Sequence, residues 1–531
     1  MEKQSLRTHT AARKPRQWLH WALAFVLNRY HLLLNQTAQS PVHNTKKNVI
    51  FLVTDGMGPA SLSLARSFRQ HRDGLPIDDI LELDRHLIGS SRTRSSSSLV
   101  TDSAAGATAF SCAMKTYNNA VGVSPDEKPC GTLLEAMKFQ GYHTGLVVTT
   151  RITDATPAAF SSHVTYRFYE DLVAQHQLGD YPLGRVVDLM IGGGRSHFYP
   201  PADTKYGNGG ARKDDRNLID EAIKSGWSYV GNRSEFDALN LGKNVELPLL
   251  ALVADNDIPF DIDREDDVYP SLEEEAITAL TALSEATKDS DKGFFLLIEG
   301  SRIDHAGHNN DPAAQVREVL AFDKAFEAVL DFADSTDVET IVISTSDHET
   351  GGLATARQLT PSYPDYAWYP SALLNATHSG EYLNRKVASY EGDDLESFVK
   401  SEILEKDLGI LDYDSTEVEN IIKNKASSHY TLNDIVSRRS QTGWSTHGHS
   451  AVDVNIYAYS NKKHAMYELY ENLGGNHENI EIGQFMVDFV GVDLEHITDK
   501  IQRTQVRPNN LDVVEQQQET GDEYHMGSIQ H

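Results

Sequence analysis

The sequence predicts an α/β fold: one large central, mostly parallel β-sheet flanked by helices on both faces. Three observations carry this. Apolar runs of strand length recur without alternating apolar and polar residues, as expected for strands buried on both sides. Helix-patterned stretches fall between them, the order that a parallel sheet with crossover helices requires. Acidic and histidine residues gather just after these runs, and in open parallel sheets sites form at the carboxyl ends of strands. A length of 531 residues would suit two to four domains, but one large sheet with insertions accounts for it as well.

In chain order, residues 1–17 carry Lys3, Arg7, Arg13, Lys14 and Arg16, and the apolar stretch 18–34 is broken by Asn28, Arg29 and His31. Its uninterrupted core, 21–27, has the length of a signal-peptide core, and the basic flank suits a signal peptide or an uncleaved signal anchor. A clean membrane span needs about 20 apolar residues. Residues 1–46 are therefore read as basic tail, signal segment and linker, directing the chain into the secretory pathway. Sequons at Asn35, Asn232 and Asn375 agree with a lumenal glycoprotein.

The body spans 47–505, with strand candidates at 49–53, 146–150, 187–191, 249–254, 294–298 and 340–344. Helix patterns cover 272–286 and 313–332. Gly192, Gly193, Gly194 and Arg195 follow a strand but lack the Lys-Ser/Thr of a nucleotide-binding loop, and are read as a tight turn. Regularity stops after Leu353, and strand-like alternation returns only at 452–459, so 354–442 is expected to be an inserted subdomain. The polar tail 506–531 has no periodic apolar pattern and is expected to be disordered.

With 40% hydrophobic and 24% charged residues the composition is that of a soluble globular protein. A formal net charge of -29 argues against nucleic acid or anionic lipid as partners of the main body. A protein this acidic can handle phosphate only by supplying positive charge locally, through metal ions and an arginine. Cys112 and Cys130 are too few for a disulfide scaffold or a thiolate zinc site; they pair in an oxidising lumen or remain two buried thiols.

The chemistry is placed at LVTDSAAGATAF (99–110), where Ser103 opens a run of small residues suited to the first turns of a buried helix. Free N–H groups and the positive dipole end favour an anion there. Alone, such a serine is most simply a helix cap. Its company changes the reading: Asp55, Asp154 to Thr156, Glu299 to His308, and Asp347 with His348 each close an apolar run. Carboxylates and imidazoles so placed are what a cluster of divalent metals requires. Singly, Asp154 could cap a helix before Pro157, Glu299 could pair with a buried arginine, and His447 or His449 could lie on the surface. Together and in order they are accounted for by one arrangement, a cluster of divalent metals beside Ser103.

Six motifs, VIFLVTDGMG (49–58), VTDSAAGATA (100–109), TDATPAAFSSHVTYR (153–167), IEGSRIDHAGHNND (298–311), TSDHETGGL (345–353) and THGHSAVDV (446–454), resemble the alkaline phosphatase family in its own order. The fungal vacuolar members, with a short basic tail, one N-terminal anchor and a lumenal catalytic domain, look like this chain. The resemblance implies a metal-dependent phosphate monoester hydrolase acting through a phosphoserine on Ser103, with two zinc ions activating nucleophile and leaving group. It implies Asp304, His308 and His449 for the first zinc, and Asp55, Asp347 and His348, with Ser103 nearby, for the second. Asp55, Asp154, Thr156 and Glu299 are implied for a magnesium, Arg167 for a bidentate clamp on the phosphoryl group, and His305 as a modulator. His449 is taken over His447 for its four-residue spacing to Asp453.

The same resemblance implies small phosphomonoester substrates, inorganic phosphate as product, and a homodimer in which 354–442 forms a crown near the active-site mouth. The expected setting is the secretory lumen, vacuolar or otherwise membrane-anchored by the N-terminal segment, or secreted after cleavage. Competing readings are a phosphodiesterase or pyrophosphatase of the same superfamily and a non-catalytic metal-binding glycoprotein. Against the latter, no implied ligand position is substituted.

Overall fold

Strand β1 (Lys47–Val53) shows why the apolar runs do not alternate. Ile50 and Leu52 join the apolar cluster on one face of the sheet and Val49, Phe51 and Val53 the cluster on the other, all fully buried. The computed structural model describes residues 46–504. The expected signal segment, the Asn35 sequon and the polar tail 506–531 lie outside the described residues.

The remaining strands are β2 (Leu87–Arg92), β3 (His143–Arg151), β4 (Leu189–Gly193), β5 (Ser228–Val230), β6 (Leu249–Leu252), β7 (Phe294–Glu299), β8 (Glu339–Thr345), β9 (Glu349–Thr350), β10 (His449–Ser450), β11 (Val454–Ser460) and β12 (Gly475–Glu478). Ten form one sheet in the order β12-β2-β11-β8-β1-β7-β3-β4-β6-β5, and β9 pairs with β10. Within the ten, β11 alone runs antiparallel to its neighbours. The cause is where it enters: the chain arrives from His449 at the carboxyl end of β8, where Ile456 pairs with Thr345, and can only run back.

The structure differs from the sequence reading at three places. β4 starts two residues later than the run 187–191 and continues through Gly193, so the tight turn begins at Gly194, whose φ of +85° suits glycine. Glu299 is the last residue of β7, not one beyond it. β2, β5 and β12 carry no apolar run: LIGSSR and GNHE are largely polar and half-exposed, and SYV is only three residues.

Helices α1 (Ser103–Ser111), α2 (Ala155–Ser161), α3 (Leu272–Thr287), α4 (Arg302–His308) and α5 (Pro312–Ser335) matter most for the site. α3 and α5 fill the periodic stretches and are capped as the sequence suggests, with Ser271 accepting from the Glu274 N–H and Asp311 from those of Ala313 and Ala314. Residues 354–442, between β9 and β10, are mainly helical, and Leu383, Val387 and Leu432 join the same apolar cluster as α5. At the base of this segment Ala354 and Gly443 exchange two backbone hydrogen bonds of 2.8 Å. Cys112 and Cys130 are joined as a disulfide. Among the described residues no helix is long and apolar enough to cross a membrane.

Candidate active site

The register of the central strands sets one level for the site. Val53 lies opposite both Glu299 and Thr345, so Asp55 and Asp347 follow at the same edge of the sheet. α4 leaves β7 at once and presents Asp304 and His308 one turn apart, while the β9–β10 pair sets His449 opposite Thr350. The cap of α1 is Asp102, whose side chain accepts from the Ala105 N–H at 3.1 Å. Ser103 is thereby released from capping and stands buried at the helix's first residue. Gly106 lets α1 approach closely: a Cβ there would lie 2.9 Å from that of Asp347.

Hydrogen bonds assign the histidine tautomers. His308 donates from Nδ1 to the carbonyl of His447, and His449 from Nδ1 to that of Thr101 at 2.8 Å. The Thr350 hydroxyl donates to Asp304 Oδ1 at 2.5 Å, so at 3.2 Å its oxygen accepts from His348 Nδ1. In the neutral rings each Nε2 carries the lone pair, the form in which imidazole binds a metal, oriented by a partner on its other nitrogen. Yet the Nε2 atoms of His308 and His449 face each other at 3.1 Å.

Other separations repeat this pattern. His308 Nε2 is 3.3 Å from Asp304 Oδ2, and His449 Nε2 is 3.6 Å from Asp304 Oδ1. His348 Nε2 is 3.2 Å from Asp347 Oδ2, 3.6 Å from Asp55 Oδ1 and 3.0 Å from Ser103 Oγ. Donors held tetrahedrally about 2.0–2.2 Å from one zinc lie roughly 3.3–3.5 Å apart, which is this spacing. Asp55 Oδ1 and Asp347 Oδ2 are buried and accept no hydrogen bond among the described residues. Ligand atoms of Asp304, His348 and His449, and of Asp55, Asp347 and His348, each lie within 4.8 Å of one another, so His348 joins two adjacent groups.

The charges agree. Burial, then repulsion from Asp347, Asp304 and Glu299, pushes the Asp55 carboxyl well above its usual range, and burial raises Asp347 and Glu299 likewise. Burial holds His348 and His449 below the ordinary imidazole value, keeping them neutral. His308 differs: burial would lower it, but the Asp304 carboxylate beside it raises it, and against burial the three histidines hold Asp304 below its usual range. Crowded acids and imidazoles around a common space are a donor set that fits divalent cations.

Arg167 lies at the side of this cluster. Its Nη2 donates to Asp154 Oδ1 at 2.9 Å, and Nη1 approaches Asp102 Oδ2 at 3.5 Å. Asp154 caps α2, accepting the Ala155 N–H at 2.7 Å, and its Oδ2 is 3.3 Å from Arg151 Nη2. The structure thus turns both Asp154 oxygens toward arginines. Thr156 is buried in α2, and Glu299 accepts from the Ser301 hydroxyl at 2.7 Å. His305 is buried and accepts at Nδ1 from Arg302 Nε, 3.2 Å away. His447 is exposed and donates from Nδ1 to the carbonyl of His308. Sequence reasoning missed Arg151, Asp257 and Arg302; Asp257, an acid just past β6, obeys the strand-end rule that found the others.

The model of the family described as "Alkaline phosphatase" matches residues 46–492. The chain belongs to the alkaline phosphatase family. It is 64% identical over 475 residues to the repressible alkaline phosphatase of Saccharomyces cerevisiae, covering 86% of this chain and 84% of that protein. Among solved structures it resembles a cold-active alkaline phosphatase from a psychrophilic Shewanella, with TM-score 0.70, 29% identity, and coverage of 83% of this chain and 99% of that one. It also resembles a histidine-to-aspartate mutant of the alkaline phosphatase from the Antarctic bacterium TAB5, with magnesium bound in its M3 site, at TM-score 0.57 and 26% identity over 85% and 99% of the two chains. In this alkaline phosphatase the candidate ligand atoms gather where Val53, Glu299 and Thr345 lie level in the central sheet.

Proposed function

We propose that this alkaline phosphatase hydrolyses phosphate monoesters through a phosphoserine on Ser103. The observation that carries the reading is the pair of lone-pair nitrogens on His308 and His449, 3.1 Å apart. The Asp304 carboxylate oxygens lie 3.3 Å from His308 Nε2 and 3.6 Å from His449 Nε2, so three donor groups converge at the spacing that one dication requires. Asp304, His308 and His449 would hold one zinc, and Asp55, Asp347 and His348 a second. Asp55, Thr156 and Glu299 supply the oxygen set that suits magnesium, with Asp154 beside them, and the TAB5 mutant with aspartate and magnesium supports that choice. Bound ions supply Lewis acidity toward the attacking and leaving oxygens.

The chain's own residues do the rest. The N-terminus of α1 places Ser103 Oγ where backbone N–H groups and the helix dipole favour its ionised form. Arg167, steadied by Asp102 and Asp154, offers a planar fork to two non-bridging phosphoryl oxygens. Oγ bonds to phosphorus as the ester P–O bond breaks and the alcohol departs; water then takes the phosphoryl group, releasing phosphate and the serine hydroxyl. His305, next to Asp304, modulates phosphate affinity. Ser103→Ala, assayed on p-nitrophenyl phosphate at alkaline pH with zinc and magnesium supplied, should lower kcat by roughly a thousandfold or more while zinc content is retained. A variant with zinc bound and most of its kcat intact would place the nucleophile elsewhere.

The setting follows from the same reading: a homodimer in the secretory pathway or vacuole, attached by its N-terminal segment, with 354–442 as crown. The Cys112–Cys130 disulfide suits an oxidising lumen, and Asn232 and Asn375 are exposed as glycosylation requires.

A further inference from the structure

We propose that Arg151 is a positioning residue for the phosphate clamp: anchored on Asp257 and Glu170, it fixes the Asp154 carboxylate and thereby aims Arg167. This rests on the reading of Arg167 as the group that binds the phosphoryl oxygens.

Arg151 ends β3 and is almost wholly buried. Its backbone N–H and Nη1 both donate to Asp257 Oδ1, at 3.0 and 2.8 Å. Its Nε donates to Glu170, 3.1 Å from Oε1 and 2.9 Å from Oε2, leaving Nη2 for Asp154 Oδ2. A planar guanidinium gripped on three sides does not rotate, and no lysine reproduces that fork. Its anchor is held in turn, since Glu170 accepts from the Thr153 hydroxyl at 2.5 Å and lies 3.3 Å from His197 Nε2. Burial opposes the charge on Arg151, but Glu170, Asp257 and Asp154 outweigh it.

The consequence reaches the clamp through the two oxygens of Asp154. Oδ1 accepts from Arg167 Nη2 and from the Ala155 N–H, and Oδ2 faces Arg151. A partial turn of this carboxylate about its last bond would carry Oδ1 out of line with Arg167 Nη2 and the Ala155 N–H and leave the guanidinium unaimed. Arg151 on Oδ2 prevents that turn. Without it, Asp154, Glu170 and Asp257 would lose the cation they share, and the Asp154 carboxylate would be left to Arg167 alone, drawing that guanidinium toward itself instead of toward substrate.

The test uses metal-loaded enzyme with Arg151→Lys, Arg167→Ala and the double variant, reading inorganic phosphate inhibition, calorimetric phosphate binding and thermal midpoint. A purely structural role lowers the midpoint and the yield of folded enzyme, but leaves phosphate affinity of the folded fraction unchanged. Positioning predicts phosphate binding weakened about tenfold in Arg151→Lys, the size typical of an outer-shell partner. In the Arg167→Ala background the same change should alter binding by less than about twofold, because its route is gone. Unchanged phosphate affinity in Arg151→Lys, or equal weakening with and without Arg167, overturns the inference. Should Arg151→Lys not fold, Asp257→Asn, which loosens the anchor and keeps the guanidinium, carries the same expectation. Wild-type enzyme inert on p-nitrophenyl phosphate would refute the phosphomonoesterase reading itself; active wild type with a normal Arg151→Lys refutes only this role.

Discussion

Thr350 holds the imidazole of His348 by one nitrogen and Asp304 by one oxygen, so a single hydroxyl orients a member of each proposed metal group. Removing it frees both. Thr350→Val, of nearly the same shape, should weaken zinc binding about 10–100-fold, measured by chelator competition, with the fold retained by circular dichroism. Zinc affinity equal to wild type would mean that His348 is oriented by packing alone. The residue types of the site were legible because carboxylates and histidines stand out at the ends of apolar runs. What holds them was not: the partners of His308 and His449 are the backbone carbonyls of His447 and Thr101, and a carbonyl belongs to every residue. Asp154 shows the limit from the other side, since the resemblance implies an oxygen ligand there but gives no sign of the Arg151 and Arg167 contacts that the fold adds.

At the scale of elements, α1 is the piece whose placement decides the chemistry. It is buried along its whole length, and Gly106 sets its distance from Asp347. Gly106→Ala would force the helix or the Asp347 loop to yield by several tenths of an ångström. The expected result is a loss of about 1–3 kcal/mol in denaturant unfolding of the metal-loaded enzyme, together with reduced kcat as Ser103 shifts. Full stability with unchanged kcat would show that the contact relaxes freely. α1 could be read from its small residues, and the central strands from their apolar runs. β2 and β12 could not, because these last two strands at one side of the sheet carry half-exposed polar residues and are held by pairing with distant segments. The helices within 354–442 were hidden by the aromatic and proline-rich stretch that begins the segment.

For the whole molecule, removing the metals leaves Asp55, Asp347 and Glu299 buried with raised pKa values. The folded apo chain then keeps protons that the unfolded chain releases above about pH 4. The part of its stability that these three acids carry falls as pH rises from there, because each binds its proton more tightly in the native state than in the unfolded one. Bound cations reverse this by favouring the ionised carboxylates. Calorimetry with and without chelator should therefore show the gap in thermal midpoint widening from about pH 5 to about pH 9. A gap independent of pH would show that these acids stay ionised without metal. The segment 354–442 has a different bearing on the molecule's history. Its two ends are clasped by Ala354 and Gly443, between His348 on one side and His449 on the other. Because the free energy of closing a loop grows slowly with its length, a lineage can lengthen, trim or redecorate the chain between those ends while both ligands keep their places. Novelty can accumulate in that one excursion and leave the inherited chemistry untouched.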